Sequence, residues 1–513
     1  MKIAIIDKAP SRNDYSKLFT FKFDLWHMCS VLPANGKILK KDVDLNFEDS
    51  EYDLVILVGS EAAKHYAGIK SSTTMAGTLV KDKFVSMPNP AMLHFKPEMK
   101  KEMEMAVNKI EKLARGEKTS TQVGDFKGIN NAEEALQYLN EIAAAILLGE
   151  CKVTAWDTET TGLYPRNGYV LGLSLTWKKR QGRYIITDIL DVEHIEKLQW
   201  IADNSTVVFH NMKFDRKMIE YHLDIIFKRD NVHDTMCMHY ILDENDSHGL
   251  KQIAQKFTDY GDYDSELDAF KKRYCHENGI KEEEFTYDLI PYDIISKYAS
   301  IDTAVTWEIY WIFMAALEKN PKLMGAYLDL MVRSTLFLGD IEEIGIPFDI
   351  ERLKAADALL EKEITEANEK LRSFEEVLAF EKAAGAVFNP ASPIQLRKLL
   401  FDYIGLTPTG KLTATGALST DADVLEELSS DHPIPATLLK IRKLTKIRNS
   451  YTTKLLQVVN MDGRVRTNFN NTFTTSGRLS SSGTFNAQQI PRDDPIIKGC
   501  IVAPPGFKIV SQD

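Results

Sequence analysis

The run Ala155-Trp156-Asp157-Thr158-Glu159-Thr160-Thr161-Gly162-Leu163 decides how the middle of this chain is read. Residues 152–158 read as an apolar strand, and Thr160-Thr161-Gly162-Leu163 as the turn that follows it. Residues i and i+2 of a strand point to one face, so Asp157 and Glu159 can share a metal ion. Around this run, residues 169–177 read as a second strand, and residues 132–148 and 213–222 as helices. Two more acidic motifs follow in order. Asn211-x-x-x-Asp215 comes after the apolar run Val207-Val208-Phe209, and Tyr298-x-x-x-Asp302 comes later. A spacing of four places both members of each pair on one helix face. Any one of these motifs alone reads as an exposed acidic turn or helix face. Their order within one domain-sized stretch, the first at the end of an apolar strand, favours a shared site.

Four carboxylates and a tyrosine are the equipment of a two-metal phosphodiesterase. Hydrolysis needs an attacking hydroxide, a stabilised pentacoordinate phosphorus and a neutralised leaving oxygen, and two divalent ions ~4 Å apart supply all three. Hard cations such as Mg²⁺ take carboxylate oxygens. Asp157 and Glu159 would share an ion, Asp215 and Asp302 would complete the cage, and Tyr298 would orient or deprotonate the attacking water.

The segment resembles the DEDDy exonucleases, and within them the proofreading domain of the family A DNA polymerases. The matching signatures are Asp157 to Leu163, His210-Asn211-Met212-Lys213-Phe214-Asp215 and Tyr298-Ala299-Ser300-Ile301-Asp302, with Val232-His233-Asp234-Thr235-Met236 matching the segment before the family's next helix. The resemblance implies a ribonuclease H-like mixed-sheet domain over residues 127–330. It implies that Asp157, Glu159, Asp215 and Asp302 bind two ions, Mg²⁺ or Mn²⁺, and that Tyr298 serves the water. It also implies that Leu163 wedges against a frayed 3′ end and that Asn211 contacts DNA.

The rest of the chain resembles the same polymerases. Glu343-Ile344-Gly345-Ile346-Pro347-Phe348-Asp349 opens the thumb, expected over residues 331–465 and mostly helical. Asp349 can cap a long helix with Leu353, Leu360, Ile364, Ala367 and Leu371 on one stripe. Ser392-Pro393 opens another helix. Net charge over the whole chain is −11, which argues against a nucleic-acid partner. Residues 433–470 reverse that locally. Lys440, Arg442, Lys443, Lys446, Arg448, Lys454, Arg464 and Arg466 face only Asp462, so the stretch carries +7. A basic run alone reads as a solvated helix face. On the thumb helix the resemblance makes Lys440, Lys443, Lys446, Arg448 and Lys454 grips for duplex backbone.

Early palm is expected over residues 466–513. Thr474-Thr475-Ser476-Gly477-Arg478-Leu479-Ser480-Ser481 matches the motif that holds primer-template, making Thr474 and Arg478 DNA contacts. Gln488 matches a third contact, while Gln489 stands where the family has asparagine. Val510-Ser511-Gln512-Asp513 matches the strand carrying the first catalytic aspartate, so Asp513 would be a catalytic metal ligand. The fingers and the rest of the palm are expected from a second polypeptide, or are lost by truncation. Deoxynucleoside triphosphates would be substrates of the completed enzyme, alongside primer-template and single-stranded 3′ ends. Other replication proteins are further partners of such an enzyme.

Residues 1–115 read as a small α/β unit, with Tyr52 to Gly59 as a buried strand and turn, and residues 60–66 as a helix. Lys8-Ala9-Pro10-Ser11-Arg12-Asn13-Asp14, Val58 to Ala63 and Met87 to Leu93 resemble uracil-DNA glycosylase motifs. Asn89 replaces the histidine before Pro90 and Ser11 replaces a glycine, so the resemblance implies an inactive glycosylase-like domain kept for DNA or partner contact. A flavodoxin-like unit is the alternative. Only Cys29 lies in this stretch, so an iron–sulfur cluster is not expected. Residues 116–126 are polar and aperiodic and read as a linker.

The expected class is thus a multi-domain α/β protein: glycosylase-like unit, exonuclease, helical thumb and incomplete palm. Five scattered cysteines without a C-x-x-C pair suggest neither a zinc site nor a disulfide framework and fit a reducing compartment. The longest apolar run, Ile142 to Leu148, is too short to span a bilayer, so no membrane partner is expected. The resemblance implies a bacteriophage replicative enzyme working in the cytoplasm of a bacterial host. A stand-alone exonuclease and a non-catalytic DNA-docking scaffold are the competing readings.

Overall fold

The computed structural model describes residues 1–9, 13–28, 47–483, 485–491 and 494–510. The chain divides into two compact units. Met1–Gly339 and Asn471–Arg478 form one; Asp340–Asn470 and Leu479–Asp513 form the other.

The first unit opens with a five-stranded sheet of order β2-β1-β3-β5-β4. Its strands are β1 (Ile3–Asp7), β2 (Asp24–His27), β3 (Leu54–Val58), β4 (Leu79–Val80) and β5 (Phe84–Met87). All neighbours are parallel except β4 against β5. β1 and β3 are buried throughout, as strands covered on both faces must be. Alternation along them divides the core. Ala4, Ile6, Val55 and Leu57 pack on one side, while Ile3, Ile5, Leu54 and Ile56 pack on the other with Met103 and Ile110 of helix α1 (Lys100–Ala114).

A second sheet of six strands has the order β11-β10-β7-β8-β9-β6. It comprises β6 (Asp125–Ile129), β7 (Val153–Thr160), β8 (Val170–Thr176), β9 (Gln181–Ile186), β10 (Thr206–Phe209) and β11 (Val232–Asp234). β7, β8 and β9 run antiparallel, while β10 and β11 run parallel to β7, giving the expected mixed sheet. β6 corrects the linker reading. Asp125 and Phe126 lie in a strand paired in parallel with β9, and Ser120–Val123 form a short helix with a capping box from Thr119 and Gln122. As an edge strand β6 is only partly buried, so it carries little apolar signal.

Helices pack around this sheet. They include α2 (Ala132–Leu147), α3 (Met212–Leu223), α4 (Thr235–Leu242), α5 (Leu250–Phe257) and α6 (Tyr292–Leu317). α6 runs across β6 through β10 and places Ile301, Ala304, Val305 and Ile309 in one core with Trp156, Leu173 and Val208. Residues 471–478, expected with the palm, belong to this unit. Tyr240 Oη donates to the Thr474 carbonyl at 2.8 Å, and Asn471 Nδ2 donates to Thr335 Oγ1 at 2.8 Å.

The second unit is mainly helical. α7 (Ile350–Arg372) starts at Asp349, whose carboxylate accepts from Arg352 N at 3.0 Å. Leu353, Leu360, Ala367 and Leu371 are buried along its predicted stripe. Ser392 caps the next predicted helix, accepting from Gln395 N. α8 (Pro433–Ile447) buries Ile434, Leu438, Ile441, Leu444 and Ile447. Short antiparallel pairs close the unit, with Asn468–Asn470 against Ser480–Ser482. No helix among the described residues is long and apolar enough to cross a membrane. The described cysteines, Cys151, Cys237, Cys275 and Cys500, are free and buried.

Candidate active site

Asp157 and Glu159 sit on β7 opposite Ser174 and Gly172 of β8, and a register irregularity after Glu159 turns the chain away. Asp302 approaches from α6. Carboxylate oxygens of Asp157, Glu159 and Asp302 all lie within 4.8 Å of one another. Glu159 and Asp302 are buried and Asp157 is half-buried. Nothing but oxygen ligands is offered, which suits a hard divalent cation.

Asp215 lies in the first turn of α3. Its Oδ1 accepts from Thr158 N at 3.0 Å and from Thr158 Oγ1 at 2.7 Å. The residue between the two strand carboxylates therefore ties the second motif to the first, and leaves Asp215 Oδ2 for a cation. Asn211 departs from the expected helix-face pairing. It is the left-handed residue before α3, with φ 67°, so it turns the chain into the helix and does not share a face with Asp215.

Asp234 anchors this turn. Its carboxylate accepts from the backbone N–H of Asn211 (3.1 Å), Met212 (2.9 Å), Met236 (2.8 Å) and Cys237 (3.4 Å). One buried carboxylate at the end of β11 thus caps both α3 and α4. Burial pushes its pKa up while the four N–H groups pull it down.

The four site carboxyls all titrate high. Burial is the largest cause for each. For Asp157 and Glu159, the negative charge of their neighbours then raises the pKa well above the usual range. Asp215 is raised to about 7. Asp302 is raised to about 6, with hydrogen bonds from Tyr263 and Tyr298 opposing the burial. This is the cost of gathering carboxylates away from water without a counter-ion, and a bound divalent cation reverses it.

Sequence reasoning passed over Tyr263 and Lys251, and quoted Asp234 without giving it a role. Tyr263 Oη donates to Asp302 Oδ1 at 2.5 Å and its ring stacks on Tyr298, centroids 6.1 Å apart. Lys251 lies over the Tyr298 ring at 5.5 Å, pairs with Asp264 at 2.7 Å, and its charge helps hold Glu159 and Asp302 ionised. Tyr263 and Lys251 carry no periodic signal, whereas Asp234 had a legible one, an acid between a strand and a helix. Tyr298 is buried. Burial and the charges of Asp302 and Glu159 raise its pKa well above the ordinary phenol value. Its hydroxyl hydrogen-bonds the Asp302 carboxylate. Leu163, 76% exposed, stands on the turn after β7.

In the second unit, Lys440, Lys443, Lys446 and Lys454 are exposed, while α8 turns its apolar positions inward. Arg448 differs from them. Its guanidinium pairs with Asp357 at 3.3 Å and Glu361 at 3.2 Å on α7, so it is committed to helix packing. Gln488 is exposed and holds Ser481 Oγ and the Leu479 carbonyl. In the first unit, Arg478 is exposed and its carbonyl accepts from Thr474 Oγ1. Asp513, Ser11 and Cys29 lie outside the described residues.

Residues 131–318, which hold all four carboxylates, match the family model described as 3′–5′ exonuclease, and residues 357–513 match DNA polymerase family A. The chain belongs to the family A DNA polymerases. Over its whole length it is 44% identical to the DNA polymerase of Escherichia phage T5, of which it spans 62%. It is 30% identical to the DNA polymerase of Bacillus phage SP01 over 64% of this chain and 39% of that protein. It is also 30% identical to DNA polymerase I of Synechocystis over 66% of this chain and 33% of that one. Among solved structures, the POL domain of Pol1 from M. smegmatis, in complex with DNA primer-template and dNTP, is similar in fold. Its TM-score is 0.55 at 22% identity, over 74% of this chain and 59% of that one. Members of these families normally use divalent metals, and the carboxylate cluster is of the matching kind.

Proposed function

We propose that this chain removes nucleotides from DNA 3′ ends with two divalent ions, Mg²⁺ or Mn²⁺, held by Asp157, Glu159, Asp215 and Asp302. The observation that carries the reading is the convergence of Asp157, Glu159 and Asp302 oxygens within 4.8 Å, in a pocket where burial raises the pKa of all three. When bound, the ions supply Lewis acidity and charge neutralisation at the scissile phosphate. Thr158 fixes Asp215, and Tyr263 fixes Asp302, so the donors are set before any ion arrives. Tyr298, hydrogen-bonded to Asp302, orients or deprotonates the attacking water. Leu163 offers an exposed apolar wedge to a frayed terminal base.

Duplex DNA is gripped by Lys440, Lys443, Lys446 and Lys454, with Asn211, Thr474, Arg478 and Gln488 as further DNA contacts. Templated synthesis from primer-template and deoxynucleoside triphosphates is the second activity. It uses Asp513 as the first palm carboxylate, in the cytoplasm of a bacterial host. The sequence matches to family A polymerases support it. Residues 1–115 are proposed as an inactive glycosylase-like unit, the parallel β2-β1-β3-β5 order being compatible with that reading.

The test is the Asp157→Ala/Glu159→Ala chain on a 5′-labelled primer-template with a mismatched 3′ end. Loss of Mg²⁺-dependent shortening with duplex binding kept is the expected result. Retained shortening would refute the site.

A further inference from the structure

Away from the carboxylates, the first unit holds a cavity of about 590 Å³ at the seam between α1 and its flanking loops on one side and α5, α6 and the β8–β9 turn on the other. That volume falls within the range of small-molecule sites. Its lining has two characters. Leu79, Leu113, Phe257 and Ile312 form an apolar wall; Lys109, Lys112 and Lys118 bring positive charge, and Glu117 beside them pairs with Arg115 at 3.1 Å.

The cations on the far side are already neutralised. Lys179 pairs with Glu308 at 3.5 Å and Arg180 with Asp259 at 3.5 Å. The three lysines are not. Among the described residues none has an ion pair, and Lys109 Nζ is held only by the Gln255 carbonyl. Burial lowers the Lys109 pKa to about 8, the Asp259 carboxylate opposing it and the like charge of Lys112 adding to it. Such a lysine gains most from an anion brought to it. Thr78 lines the same cavity and is 3% exposed, yet its Oγ1 has no hydrogen-bond partner. A buried hydroxyl left unpaired costs free energy unless a ligand or water satisfies it.

We propose that this cavity binds a nucleoside monophosphate, its phosphate on Lys109, Lys112 and Lys118 and its base against the Phe257 wall. An anion alone would leave the apolar wall wet, and an apolar ligand would leave three lysines without an ion pair. The choice of nucleotide over other amphipathic anions rests on the exonuclease reading, since that hydrolysis releases nucleoside monophosphates. The cavity is then a second place for product, separate from the carboxylates that form it.

Equilibrium dialysis of the full chain against radiolabelled dAMP tests this, with EDTA present so that no cation occupies the carboxylate site. The expected result is saturable binding of one dAMP per chain, unchanged in Asp157→Ala/Glu159→Ala. Lys112→Glu, an exposed position, and Lys109→Met should each weaken binding by about tenfold, with adenosine and inorganic phosphate competing at least about tenfold less well than dAMP. Lys112→Glu should keep wild-type Mg²⁺-dependent digestion of DNA. Absence of saturable binding overturns the proposal. So does binding lost with Asp157→Ala/Glu159→Ala but indifferent to Lys112→Glu, and so does phosphate competing as well as dAMP. Binding by a chain that fails to digest DNA would uphold the cavity and sink the exonuclease reading instead.

Discussion

Asp234 is where a small change should do the most damage for a reason visible in the structure. Its Oδ1 accepts from the N–H groups of Asn211, Met236 and Cys237, and its Oδ2 accepts from Met212 N. Asp234→Asn keeps the shape but leaves one acceptor oxygen. If the amide oxygen stays with the three-donor side, an NH₂ faces Met212 N, so one bond becomes a donor–donor contact. The loss should be about 1–3 kcal/mol. Asp234→Ala removes both caps at once. At about 1–2 kcal/mol per cap the loss is about 2–4 kcal/mol, a large share of the ~5–15 kcal/mol typical of a folded domain. Activity should fall further than stability does. Asp215 sits one turn into the helix that Asp234 caps, and a displacement of ~1 Å in a catalytic constellation costs on the order of a hundredfold in rate. Urea unfolding followed by tryptophan fluorescence reads the first effect, because Trp156 is fully buried in the adjoining sheet. Digestion of a labelled 3′ end under native conditions reads the second. An Asp234→Asn chain with an unchanged midpoint and an unchanged digestion rate would refute the anchoring argument.

Four other outcomes follow from the same structure. Asp302 and Asp215 titrate at about 6 and about 7, above the ordinary unfolded values near 4. Raised carboxyls contribute stability below their unfolded pKa and lose it as pH climbs through the folded pKa. The Tm of the metal-free protein should therefore fall between pH 5 and 8, and the rise on adding Mg²⁺ should be larger at pH 8 than at pH 5.5; a larger rise at pH 5.5 would contradict the assignment. Leu163→Ala should leave stability within about 0.5 kcal/mol, as at other exposed sites, while slowing digestion of mismatched 3′ ends; unchanged digestion rules out the wedge. Neutralising Lys440, Lys443 and Lys446 together should reduce the salt slope of duplex binding by up to about three units at unchanged Tm. Arg448→Gln should do the reverse, costing about 1 kcal/mol through its lost pairs with Asp357 and Glu361 with little change in slope.

Much of this site was legible in the sequence, and particular residues show where legibility ended. β7 announced itself because an apolar run ends in two carboxylates at strand spacing. α7 did so because Asp349 and a stripe of leucines agree with one helical period. What failed were features decided by partners distant in the chain. Arg448 looks like its lysine neighbours until Asp357, 91 residues earlier, is seen beneath it. β6 has too few apolar residues to read as a strand because its pairing with β9 makes it. Asn211 fits a helical four-residue spacing, yet the chain needs a left-handed residue where β10 gives way to α3, a conformation asparagine tolerates better than most. Tyr263 gains its role only through the fold that brings it to Asp302, 39 residues on.

The central claim is that Asp157, Glu159, Asp215 and Asp302 form one divalent-cation site used to cleave DNA. Anomalous scattering from crystals soaked in Mn²⁺ measures it most directly. Mn²⁺ peaks are expected among these carboxylates, abolished in Asp157→Ala/Glu159→Ala together with 3′ digestion. Wild-type chain that digests DNA while Mn²⁺ binds nowhere among them would contradict it.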